Sequence, residues 1–94
     1  MILVREILVA KPGMASKLAK MMQGAMQSLP DRVLIMTDLT GQFNRVVMQT
    51  TFKSLQEFEE RMKDYMQNTA MRDRMVGYTE MYTEGYREIY QILE

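Results

Sequence analysis

The chain has no cysteine, no histidine and no tryptophan among its 94 residues, and only two prolines and five glycines. Without Cys or His there is no thiolate nucleophile, disulfide staple, zinc finger, imidazole base or haem-proximal imidazole. Most familiar catalytic and metal chemistries are excluded. Charge of one sign is not in excess either: twelve Lys and Arg balance twelve Asp and Glu. The basic surplus that phosphate backbones demand is missing, and nucleic acid is not an expected partner. No apolar run approaches the ~20 residues of a membrane span. The first ten residues are broken by Arg5 and Glu6 and lack the basic leader of a targeting segment, so a soluble, cytoplasmic protein with no membrane partner is expected.

What is present begins with length. One small domain spanning 1–94 is expected, and a monomer of this size hides only roughly 60–65% of the surface its extended chain exposes. A second copy covering part of that surface would help.

The opening segment, Ile2 to Ala10, is aliphatic on both alternating faces, with Leu3, Ile7 and Val9 on one and Ile2, Val4 and Leu8 on the other. Such a strand wants cover on both sides. Lys11-Pro12-Gly13 ends it, because Pro lacks a donor and Gly permits a sharp turn. From Met14 to Leu29 the apolar residues follow a helical stripe, with Ser16, Lys17, Lys20, Gln23 and Gln27 on the wet face. The pattern predicts a helix of about four turns, stopped by Pro30.

Arg32 to Leu39 and Phe43 to Phe52 then read as a β-hairpin, with Gly41 its positive-φ residue. Ser54-Leu55-Gln56-Glu57 fits a capping box and opens a second helix carrying Leu55, Phe58, Met62, Tyr65 and Met66 on one face. Asn68-Thr69 interrupts it, since both side chains compete for backbone hydrogen bonds. Met71, Met75, Tyr78 and Tyr82 step onward at helical spacing, Gly85 is the expected residue just past that helix, and Tyr86 to Leu93 has strand composition.

The order β-α-β-β-α-β predicts an α+β, ferredoxin-like domain: a four-stranded antiparallel sheet with helices on one face. The other sheet face would then be an apolar patch of a kind monomers avoid, and a sheet-against-sheet homodimer would cover it. Residues 1–53 hold seven Lys or Arg against three acids, and the remainder five against nine. The basic first helix and the acidic start of the second would therefore pair if they lay side by side, at 0–1 kcal/mol or so per surface pair.

Three constellations are candidates for a site. The tyrosines Tyr65, Tyr78, Tyr82, Tyr86 and Tyr90 either pack with wet hydroxyls or line a pocket, where a phenol donates a hydrogen bond or stacks on a flat ligand. The twelve methionines concentrate at helix positions facing the sheet, among them Met21, Met22, Met26, Met62, Met66, Met71 and Met75. They make either a deformable core or a broad apolar pocket; a thioether-only metal site is not expected. Arg5 and Glu6 point to opposite sheet faces, so one at most looks toward the helices. Glu6 there would act as a base, or Arg5 and Glu6 would pair with Arg45, Arg87 or Glu88 on neighbouring strands. Thr37, Asn44, Gln49 and Thr51 on the hairpin are polar groups that either orient a ligand or simply face water.

Along its whole length the chain resembles the dimeric α+β barrel superfamily, most closely its NIPSNAP-like and antibiotic-biosynthesis-monooxygenase-like members. The residues that carry the resemblance are Lys11-Pro12-Gly13 entering the first helix, Ser54-Leu55-Gln56-Glu57-Phe58 opening the second, and the terminal Gly85-Tyr86-Arg87-Glu88-Ile89-Tyr90 strand. The resemblance implies a homodimer with a pocket between sheet and helices in each subunit. It also implies binding of a small hydrophobic or aromatic molecule, extending to cofactor-independent oxidation of it. Glu6, Tyr65, Tyr82 and Tyr90 are then the candidate catalytic groups. The candidate pocket residues are Met22, Met26, Thr37, Gln49, Met62, Met66, Met75 and Tyr78. The chain departs from the haem-dependent members in having no His, and from many monooxygenase members in having no Trp, so no cofactor is expected. The competing expectation is a non-enzymatic dimerisation or ligand-sensing module whose pocket is closed by its own side chains.

Overall fold

The computed structural model describes residues 1–27 and 29–94. Four strands, β1 (Ile2–Ala10), β2 (Leu34–Thr37), β3 (Arg45–Phe52) and β4 (Tyr82–Gln91), form one antiparallel sheet in the order β2-β3-β1-β4. The helices α1 (Ala15–Met26), α2 (Leu55–Gln67) and α3 (Thr69–Arg74), with a short 3₁₀ turn at Tyr78–Glu80, complete the ferredoxin-like β-α-β-β-α-β arrangement. The helices lie on one face because β1 presents Val4, Leu8 and Ala10 on that side, where Leu18 and Met22 of α1 meet Ala10 and Val46, and Phe58 of α2 meets Val4 and Phe52. These are two separate buried clusters. Between them the helices stand off the sheet.

Several boundaries differ from the sequence reading, each for a local reason. β2 covers only Leu34–Thr37 rather than Arg32 to Leu39, and β3 starts at Arg45 rather than Phe43. The Asp38 carboxylate accepts both the Arg45 backbone N–H (3.1 Å) and its Nε–H (3.3 Å), closing the ladder at that point. The intervening loop turns through Gly41 (φ 100°) and Asn44 (φ 66°). The regular part of α1 ends at Met26; its expected continuation across Ser28 to Leu29 lies outside the described residues at Ser28.

The capping box forms with one change of partner: the Ser54 hydroxyl accepts from the Glu57 N–H at 3.2 Å, while the Glu57 carboxylate reaches the Lys53 N–H at 3.1 Å. The break after α2 falls where expected, and Asn68 caps the new start by accepting the Met71 N–H at 3.0 Å.

The largest departure is at the third helix. It ends at Arg74, not beside Gly85, and Gly77 at φ 87° supplies the left-handed turn beyond it. Gly85 instead lies inside β4, opposite Leu8. A Cβ built there would sit 2.7 Å from Leu8 Cδ2. β4 is therefore ten residues long and the longest strand of the sheet. The ion pairing expected between the lysines of α1 and the acids of α2 does not occur among the described residues, because α1 packs beside α3. There Arg74 donates to the Gly24 carbonyl at 2.7 Å.

Candidate functional site

Where the helices stand off the sheet they leave a cavity of about 520 Å³. Its floor is sheet: Glu6 and Leu8 from β1, Met48 from β3, Tyr82 and Arg87 from β4. Met22 and Met26 of α1 form one wall, and Met62, Tyr65 and Met66 of α2 the opposite one. Met71 and Arg72 of α3, followed by Met75, Val76 and Tyr78, close the end. Seven of the twelve methionines thus border one space. Unbranched thioether side chains fill such a space loosely and adapt to a guest's shape. The volume falls within the roughly 300–1,000 Å³ typical of small-molecule sites.

A strand irregularity decides which β4 side chains reach this cavity. Val9 pairs with Glu84 but Ala10 with Tyr82, so one extra β4 residue is accommodated at this point. Such a bulge inverts the alternation of faces. Without it Tyr82 and Arg87, five positions apart, would point to opposite sides; with it both face the helices. Tyr82 then stacks on Tyr78, with ring centroids 5.8 Å apart and planes at 28°.

The polar groups of the cavity are mostly engaged. Glu6 faces inward and its Oε1 accepts from Arg87 Nε, the cross-strand neighbour set by the β1–β4 register. The Arg87 guanidinium also lies over the Phe58 ring, 5.1 Å from its centroid. Tyr65 donates its O–H to Asp31 Oδ2 at 3.1 Å, and Arg61 Nε approaches the same oxygen at 2.6 Å. Burial, reinforced by the Asp31 charge and hydrogen bond, pushes the Tyr65 phenol well above its ordinary value. It is held as a donor. Arg72 donates to the Met66 carbonyl and forms no ion pair among the described residues.

Of the residues singled out from the sequence, Glu6, Tyr65 and Tyr82 border the cavity together with Met22, Met26, Met62, Met66, Met75 and Tyr78. Tyr90, Thr37 and Gln49 are not among its lining residues, and neither is Met21 of α1. Tyr90 pairs with Leu3 on the open sheet face. There the Arg5 guanidinium lies 5.9 Å from its ring centroid, and the neighbouring Glu88 carboxylate raises its phenol pKa. Gln49 accepts from Arg5 Nη2 at 3.2 Å on that same face. Thr37 borders a shallow depression beside Arg5, Ile7 and Met36. The bulge separates Tyr90 from Tyr82, which strict alternation would have kept on one side.

Among the charged residues that border the cavity, Arg72 and Arg87 were not singled out from the sequence as site residues. Arg87 was named from the sequence only as a cross-strand charge partner, and it is the one that Glu6 takes.

The open face is less uniformly apolar than the strand patterns suggested. Ile7 is buried, and Leu34, Met36, Tyr86 and Tyr90 are partly exposed. Among them run an Arg5–Glu88 ion pair at 3.8 Å and the Arg45–Asp38 pair at 3.3 Å. No helix among the described residues is long and apolar enough to cross a membrane.

No protein-family model matches the sequence, and no curated protein matches it. Solved structures do match in fold. A NIPSNAP-domain protein from Burkholderia xenovorans superposes with a TM-score of 0.85 at 11% identity, over 99% of this chain and 95% of that one. A NIPSNAP-family protein from Agrobacterium tumefaciens gives 0.86 at 11% identity, over 99% and 93%. An antibiotic biosynthesis monooxygenase-like protein from Deinococcus radiodurans gives 0.67 at 16% identity, over 100% and 94%. At such identities the likeness is one of backbone architecture. With its sheet order, its helices on one face and these matches, the chain has the α+β fold of the NIPSNAP-domain and antibiotic biosynthesis monooxygenase-like proteins.

Proposed function

We propose that this protein binds a small hydrophobic or aromatic molecule between its sheet and its helices, as a homodimer joined through the open sheet faces. The observation that carries the binding reading is the cavity of about 520 Å³ bordered by seven thioethers and the stacked Tyr78–Tyr82 pair. A closed dimerisation module would fill that space with its own side chains and turn no charge into it; here Glu6, Arg72 and Arg87 all border it. The dimer reading is supported by the partly exposed Leu34, Met36, Tyr86 and Tyr90 beside buried Ile7 on a face that no helix covers.

The test is thermal unfolding of the full chain against a panel of one- to three-ring aromatic compounds. A ligand present at about 100 times its Kd stabilises by roughly 2.7 kcal/mol, which in a domain of this size raises Tm by about 10–20 °C. At least one compound should do so; a flat response across the panel overturns the reading. Sedimentation of the wild type and of Met36→Glu tests the dimer: the wild type should sediment as a dimer at micromolar concentration and the variant should dissociate. Two monomers would refute it.

A second reading, oxidation of the bound molecule by dioxygen without a cofactor, has the likeness to the Deinococcus radiodurans protein behind it. In such chemistry the substrate supplies the electrons and the protein removes a proton. Glu6 is the carboxylate bordering the cavity, and Tyr65 is held as a donor to Asp31. Oxygen uptake with electron-rich phenols tests this reading, and no rate above buffer sinks it.

A further inference from the structure

The charges at the cavity do not balance. One carboxylate, Glu6, faces two guanidiniums, Arg87 and Arg72. Glu6 engages Arg87 through Nε alone, so the two terminal NH₂ groups of that guanidinium are not part of the pair. Arg72 makes a hydrogen bond to a backbone carbonyl and has no carboxylate partner among the described residues. Two partly solvent-exposed cations beside a single carboxylate leave a net positive charge at the edge of a largely apolar space. A neutral hydrocarbon would gain nothing from it. An anion would gain charge-assisted, and with a planar oxyacid bidentate, hydrogen bonds.

Resting on the reading of this cavity as a small-molecule site, we infer that its ligand is an amphipathic carboxylate: an aromatic or aliphatic body among the methionines, with its acid group held by Arg72 and Arg87. Glu6 is then a competitor. It holds Arg87 in place when the site is empty and shares that guanidinium with the ligand when it is full. It also sets a charge preference, because a dianionic ligand would bring its second charge against the Glu6 carboxylate. Thioethers and the Tyr78–Tyr82 stack receive the ring or chain by dispersion and sulfur–aromatic contact.

The test is calorimetric titration of the full-length protein with 2-naphthoate and with 2-naphthamide, its neutral near-isostere, for wild type, Arg72→Gln and Glu6→Gln. The wild type should bind the carboxylate about tenfold more tightly than the amide, the equivalent of one charged hydrogen bond. Arg72→Gln should remove most of that preference by weakening the carboxylate far more than the amide. Glu6→Gln should strengthen carboxylate binding severalfold by releasing Arg87. A purely structural role for these residues would move both ligands together. Equal affinity for the two probes in the wild type, or a loss in Arg72→Gln common to both, overturns the inference while leaving the apolar site intact. Binding of neither probe overturns the site reading and the inference together.

Discussion

Replacing Phe58 by Ala separates what holds the cavity up from what lines it. Phe58 is the one buried residue of α2, 7% exposed, and it packs on Val4 and Phe52, with the two rings 5.5 Å apart. The cavity residues of that helix, Met62, Tyr65 and Met66, are placed by this anchor. Truncation of a buried Phe costs about 3–5 kcal/mol, from lost transfer energy and the void left behind. A chain of 94 residues has about 5–14 kcal/mol in all, so a large fraction of the stability goes.

Urea unfolding at fixed protein concentration, followed by far-ultraviolet circular dichroism, should show a much lower midpoint with an unchanged slope. Tm should fall by about 12 °C or more. Met66 is the control. It borders the same cavity from the same helix but is 68% exposed, so Met66→Ala should change stability by no more than about 0.5 kcal/mol. A Phe58→Ala cost below about 1 kcal/mol would refute the argument, because α2 would then be held by something other than this cluster.

Two further outcomes are expected. The raised Tyr65 pKa means that its neutral form is the one the fold favours. Its contribution is therefore complete below the unfolded phenol's value of 10.0 and lost as pH rises toward its higher folded value. Tyr65→Phe should cost about 0.5–1.5 kcal/mol near neutral pH and should flatten the alkaline decline in urea midpoint; equal alkaline slopes in variant and wild type would contradict this. At Gly77, where φ is 87°, substitution by Ala forces a left-handed conformation on an L side chain and should destabilise by about 1–2 kcal/mol. Gly85→Ala should cost less, because only the flexible end of Leu8 must move, and the reverse order would place the helix end wrongly.

The element order was legible because it depends on local chemistry. Pro12-Gly13, Gly41, the Ser54–Glu57 box and Asn68 each end or begin an element through a turn conformation or a hydrogen bond within a few residues. The third helix was misjudged for a definite reason. Met75, Tyr78 and Tyr82 recur at helical spacing, yet they come from a helix end, a 3₁₀ turn and a strand start that all converge on one cavity. Common burial imitated a common helix.

Apolar patterning and turn residues were enough to dictate the ferredoxin-like arrangement, and the missing His and Cys were enough to remove imidazole and thiolate chemistry from the protein. Which side chains share the cavity was decided by tertiary structure alone. The bulge at Val9 and Ala10 sends Tyr82 and Arg87 to one side and leaves Tyr90 on the other. Pairing with Arg87 makes Glu6 half of an ion pair. Both depend on how β4 lies along β1, a register between segments some eighty residues apart that no periodicity within either strand specifies.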